Sequence, residues 1–391
     1  MRPRSAVAVW AVLVACSQAQ AQTNDHFFRS WRWTEEPSSP RAAGLGGAMT
    51  GVGDDGAAAL HNPAGLASVT KSEVAGGLMA RGGGTNARGD TLVARTSVGF
   101  ALAAVRLRQR WVLAGYVAET LASRIKLDAV PLADGFTDAG SLEGVATELG
   151  AAAAWQLSSR LQLGGRLAVS RLALDGEYSR EPAAGPTNLR VTTSGSASRP
   201  TGAIGAVLLP APWLRLAASV SEGVTWRVTR RATSPVQGVV LDDGSAYEVR
   251  QPRVFSVGAT LQASRKLLFS AQLDRVAYHE IQSALIIGQG AHARGDYALS
   301  DAWEPRLGVE LSLPRRAASV QLRAGVHWRA AGSLRYTGAD RGEASAFSGS
   351  SRQVLGSVGG SLVTARWLRF DLSGRFGGDR GELLFGTAVR F

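Results

Sequence analysis

The chain has one cysteine in 391 residues, three lysines among 43 basic residues, and no run of about 18 apolar residues beyond its N-terminal stretch. Each scarcity removes a class of protein. A lone Cys16 cannot form an internal disulfide framework or a thiolate metal site. The missing long apolar run excludes a helical membrane span. The net charge of +12 is carried by arginines spread along the whole chain, without the basic face or module that DNA binding needs, so no nucleic-acid partner is expected. The five histidines, His26, His61, His279, His292 and His327, show neither metal spacing nor a local partner pattern. Neither a metal nor another cofactor is expected. The pairs Asp54-Asp55 and Asp242-Asp243 read as turns, the usual place for adjacent carboxylates.

Apolar residues make up 45% and charged residues 19% of the chain, which excludes a disordered protein, and 47 glycines suit many short strands. Residues 1–21 read as an export signal, with Arg2 and Arg4 before an apolar stretch and Ala19-Gln20-Ala21 as a cleavage pattern. A lipoprotein signal with a lipidated Cys16 competes with that reading.

From about residue 72 the apolar period is two. In "SVQLRAGVHWR", Val320, Leu322, Ala324, Val326 and Trp328 alternate with Gln321, Arg323, Gly325, His327 and Arg329. Runs of this kind number about fourteen, most near the nine to eleven residues with which a tilted strand crosses a bilayer. Their connections alternate in length. Short ones lie at 107, 157, 210, 263, 314 and 365, and long ones cover roughly 120–144, 173–199, 228–250, 278–303 and 329–352. Tight turns on one rim and long loops on the other are the pattern of a bacterial outer-membrane barrel. Tryptophans agree, because their rings prefer the headgroup level. Trp111, Trp155, Trp213 and Trp367 adjoin short turns, and Trp226, Trp303 and Trp328 adjoin long loops. The last strand ends on Phe391, like the aromatic-terminated strands by which the barrel-assembly machinery recognises its clients.

Residues 22–71 lack the two-residue alternation, yet Phe27, Phe28, Trp31 and Trp33 are too apolar for a solvated tail. Gly51, Gly53 and Gly56 have G-x-G-x-x-G spacing, but no strand leads into them and no long helix follows, so the dinucleotide reading fails. The sequence from Arg41 to Met49, Asp54-Asp55, and Asn62-Pro63-Ala64-Gly65-Leu66 resembles the start of the FadL/TodX outer-membrane transporters and of their secretion-associated relatives of the PorV type. "PRVFSVGATLQASRKLLFSAQLDRVAY" resembles a hairpin of that family. The resemblance implies a lumenal hatch containing Asn62, Pro63 and Ala64, and passive uptake of long-chain fatty acids or other hydrophobic compounds. It also implies a lateral opening in the wall, for which Gly115 is a candidate distortion.

The expectation is therefore an all-β, transmembrane antiparallel barrel of about fourteen strands (72–391) with an N-terminal plug (22–71) behind a signal peptide (1–21). It is a monomer in the outer membrane, surrounded by lipid and lipopolysaccharide, and it takes a hydrophobic small molecule. Lipid-facing positions must be apolar, so the charged strand faces point inward. Arg306 and Arg323 first, with Arg166 and His327, are candidates to meet a ligand carboxylate through charge-assisted hydrogen bonds. Three alternatives stay open: a shuttle for a protein partner, a general porin, and a lipase using His327. The last lacks any nucleophile motif, and no enzyme is expected.

Overall fold

The computed structural model describes residues 39–391 apart from 86–90, 109, 132–135, 183–188, 230, 235–238, 242–245, 284–292, 316–317, 331, 342–343, 345–346, 350, 365–366 and 379–380. The expectations for residues 1–38, for Asp242-Asp243 and for His292 lie outside the described residues. Fourteen strands form the wall: β1 (Glu73–Arg81), β2 (Arg95–Leu107), β3 (Trp111–Pro131), β4 (Phe136–Gln156), β5 (Leu161–Pro182), β6 (Leu189–Ala211), β7 (Leu214–Ser221), β8 (Val254–Gln262), β9 (Leu267–Val276), β10 (Ala302–Pro314), β11 (Ala318–Arg329), β12 (Gln353–Thr364), β13 (Leu368–Phe376) and β14 (Glu382–Arg390). Each pairs antiparallel with the next. β14 closes on β1 through a register from Glu73–Arg390 to Arg81–Glu382.

The two-residue alternation builds this ring inside out. Leu322 is 48% exposed while its neighbour Arg323 is 4% exposed, and Leu167 is 78% exposed beside Arg166 at 8%. Water would reverse that preference at a cost of roughly 25 cal/mol per Å² of apolar area. A closed ring with hydrocarbon outside and paired charges inside has no free backbone edge, and it is a structure that can stand in lipid.

Three features depart from the sequence pattern. β3 to β6 are 21 to 23 residues long, so much of the expected loops at 120–144 and 173–199 is strand that continues past the belt. The run 213–227 is not one strand, because β7 ends at Ser221 and the chain turns inward to a hairpin of Val224–Thr229 with Ala246–Gln251. Trp226 therefore leaves the expected loop-side belt. It is fully buried, and its indole N–H donates to the Ser170 carbonyl at 3.1 Å. The other belt tryptophans hold their places: Trp111, Trp213, Trp303, Trp328 and Trp367 are exposed, and Trp111 stacks on Trp155 at 5.4 Å.

The loop-side hairpin, a short helix at His279–Ser283 and the connections carrying Tyr297, Tyr336 and Phe347 share one apolar cluster, which reaches the wall at Leu121 and Leu172. At the short-turn side, residues 39–69 pack against inward-facing side chains on opposite sides of the ring. They form α1 (Pro40–Gly44), α2 (Ala58–His61) and a 3-10 helix at Pro63–Ser68. Ser39 caps α1 by accepting from the Ala42 N–H at 3.2 Å, with Pro40 pre-set at the first helical position.

Candidate functional site: the lumen and a seam in its wall

Residues 39–69 meet the wall where the wall gives them room. Asn62 accepts from the Ala64 N–H at 3.1 Å and donates to the Thr50 carbonyl at 2.9 Å, which folds Asn62-Pro63-Ala64 into a compact corner. That corner lies on Gly164 and Gly205. A Cβ at Gly205 would stand 1.9 Å from Asn62 Oδ1, and one at Gly164 would stand 2.4 Å from the Ala64 nitrogen. Three strands further round the ring, on β9, Gln272 accepts from the N–H groups of Met49 and Thr50, both at 2.9 Å, and Ser270 donates to the Ala48 carbonyl at 2.6 Å. These glycines and amides fall on the polar face of the strand pattern. An inward glycine beside charged residues was the signal for close backbone approach, and the sequence reading did not use it.

The charges form a continuous network. Arg41 clasps Glu310 with two bonds of 2.9 Å, and it also pairs with Asp54 and, at 3.1 Å, with Asp55. Arg323 bonds Glu310 at 2.6 Å, Ser361 at 2.6 Å and Asp371 at 3.4 Å. Arg369 bonds Asp371 at 2.8 Å and approaches Asp55 at 3.6 Å and Glu73 at 3.5 Å. Burial pushes the Asp55 carboxyl up, but Arg41 and Arg369 outweigh it and hold the group below the ordinary carboxylate range. Arg306 is likewise met by Asp274 at 2.8 Å and Glu304 at 3.7 Å. His327 Nε2 lies 2.9 Å from Glu304 Oε2, and the other oxygen of Glu304 accepts from Tyr278 at 3.3 Å and from the Ala330 N–H at 3.2 Å. Arg306, Arg323 and His327, expected to face a ligand, thus already have protein carboxylates.

Arg166 is different. Its side chain is buried, and it donates to the Leu60 carbonyl at 2.7 Å and to Ser221 Oγ at 3.1 Å, both uncharged. Its Nε has no hydrogen-bond partner, and among the described residues no carboxylate pairs with it. It lines a partly open cavity of about 110 Å³ with Thr120, Glu148, Ser219, Ser256 and Glu304. Among the described residues, Glu148 bonds only Tyr116, at 3.3 Å.

The wall has a seam beside this cavity. The β2–β3 ladder runs from Leu107–Trp111 to Phe100–Ala118 and is then interrupted, while β2 continues its pairing with β1 as far as Arg95–Arg81; backbone pairing onto β3 resumes only at Leu92–Ile125 and Thr91–Lys126, just ahead of β2. β3 shifts register against β4 between Glu119 and Leu121, which makes Thr120 an extra residue. Beyond the last ladder pair, side chains join the strands: Glu119 binds Arg95 at 3.2 Å, Ser97 at 3.2 Å and Arg81 at 2.5 Å. β1 also shifts register, between Gly77 and Leu78. Gly115 pairs in register with Ala103 and Ala151, so the distortion lies five residues further along β3.

No family model matches the chain, and no curated protein matches it. Solved structures do. A Pseudomonas aeruginosa FadL homologue superposes with a TM-score of 0.62 at 13% identity, covering 92% of this chain and 99% of its own. The toluene transporter TbuX of Ralstonia pickettii gives 0.63 at 13% identity over 91% and 99%, and the toluene transporter TodX of Pseudomonas putida gives 0.60 at 13% over 92% and 99%. At that identity the likeness is one of fold.

Proposed function

We propose that the chain is an outer-membrane channel for passive movement of hydrophobic small molecules, with residues 22–71 as a lumenal plug and 72–391 as a monomeric barrel. Residues 1–21 direct its export and are then removed. The observation that carries this reading is the coincidence of two features at one place on β3. The apolar cluster beneath the long loops reaches the wall at Leu121, and the backbone ladder on that side of β3 is interrupted there, between Ala118 and Ile125. A hydrophobic molecule held among the loops has a route sideways into the bilayer past Leu121 that avoids the plug below, and the pairs of Glu119 with Arg95 and Arg81 are the side-chain bridge it must pass. Each Å² it keeps out of water along that route is worth roughly 25 cal/mol.

The toluene transporters TbuX and TodX, whose fold the chain shares, agree with such a substrate class. Arg166 narrows it. A buried guanidinium without a carboxylate partner stabilises an anionic head group, so the channel favours amphiphiles ending in a carboxylate, long-chain fatty acids among them. Deleting Thr120 would remove the extra residue and restore the register of β3 to β4. Oleate flux into proteoliposomes then falls sharply while the barrel still forms. Unchanged flux in a folded deletion variant would refute lateral passage at this seam.

A further inference from the structure

A second break in the wall lies at the loop-side end of β10. Its ladder with β11 begins at Arg306–His327, so Ala302–Pro305 pair only with β9, and Trp328 and Arg329 pair only with β12. Pro305 has no N–H to give to the neighbouring strand. The two strands part there, and the outer surface is hollowed into a groove of about 760 Å³ bounded by Val257, Leu273, Trp303, Pro305, Leu307 and Trp328. Its floor is Ala259 and Ala271, which lie side by side in register. This face belongs to the exposed apolar belt, so hydrocarbon is what it meets.

The upper edge carries charge. Arg352, exposed just before β12, lines the groove and forms no ion pair among the described residues. Arg275, at the loop-side end of β9, is by contrast held by Asp301 at 3.0 Å. Trp303 and Trp328 set the edge at headgroup level. An acyl-chain groove topped by one uncompensated guanidinium at that level matches a lipid with a phosphate at its head. The leaflet on the long-loop side of such a barrel is the outer one.

We infer that this groove is a binding site for a phosphorylated, multiply acylated glycolipid of the lipid A type, with an acyl chain over Ala259 and Ala271 and a phosphate on Arg352. The site is on the outer face, separate from the lumen and from the β2–β3 seam. Its occupancy does not depend on what the channel carries.

The test is native mass spectrometry of the full chain in a mild detergent, titrated with lipid A and, separately, with phosphatidylglycerol and phosphatidylethanolamine. Wild type retains one lipid A per chain, and Ala271→Trp, which fills the floor, and Arg352→Glu each weaken retention by about tenfold or more, the scale of one charge-assisted contact. Both positions face outward, and heat-modified gel migration checks that each variant is folded. Equal retention by wild type and folded variants would overturn the site. So would retention of either glycerophospholipid as strong as that of lipid A.

Discussion

Arg41 and Glu310 face each other with two parallel hydrogen bonds, Nε to Oε2 and Nη2 to Oε1, each 2.9 Å, and this clasp ties the N-terminal segment to the middle of β10. Both side chains are buried, and each also serves other partners: Arg41 meets Asp54 and Asp55, and Glu310 meets Arg323. Arg41→Ala leaves Glu310 with one arginine and strips Asp54 of its pair, so it destabilises the folded barrel by about 3 kcal/mol or more. Glu310→Gln costs less, because Arg41 keeps two carboxylates and Arg323 keeps Asp371. Urea unfolding in detergent, followed by circular dichroism, gives the order.

Gly205→Ala drives a methyl group into Asn62 Oδ1. The wall strand is fixed on both sides, so the corner at Asn62-Pro63-Ala64 must move. We expect a loss of about 1–3 kcal/mol by the same unfolding measurement, the usual range for overpacking. Asn62→Gly in the same chain removes the clash and restores part of the loss.

The strand pattern, the number of strands and the inward turn of the charges were legible in the sequence, because lipid outside and paired charge inside impose one chemistry per face. Arg323, Glu310, Arg369 and Asp371 were all identifiable as lumenal from their alternation with Leu322, Leu311, Phe370 and Leu372. Which arginine lacks a carboxylate was not legible. Arg306 and Arg323 are neutralised by Asp274 and by Glu310 with Asp371, partners on other strands or elsewhere on the ring, and a period of two carries no information about neighbours across strands. The seam was also hidden, since one extra residue at Thr120 changes the register without changing the composition. Trp226 misled for a related reason: Gly223 turns the chain inward while the apolar alternation continues through Val224, Trp226 and Val228.

Arg166→Ala removes a buried guanidinium on the lumenal cavity that has no carboxylate partner among the described residues. Binding of oleate, measured by displacement of a fluorescent fatty acid, weakens by about tenfold to a hundredfold, matching 1.5–3 kcal/mol for a charged hydrogen bond. Binding of a neutral hydrocarbon such as toluene changes little. Equal losses for both ligands would place the effect in packing instead of charge.

Anchoring of the N-terminal segment resists acid. The Asp55 carboxyl titrates below its value in the unfolded chain, so its contribution is fully present above the ordinary carboxylate pKa of about 3.9 and disappears as pH falls through the lower folded value. The part of the stability in detergent that Asp55 supplies therefore declines only below about pH 4. Asp55→Asn lowers stability at neutral pH and flattens that acid limb, which a pH series of urea midpoints reads directly.

The most direct test is a comparison of two fluxes through the same proteoliposomes, oleate uptake and ionic conductance. A plugged barrel with a lateral seam moves oleate in proportion to the protein present and shows no steady conductance until residues 39–69 are deleted. Steady conductance by the intact chain without added oleate uptake would mark an open aqueous pore and contradict the account.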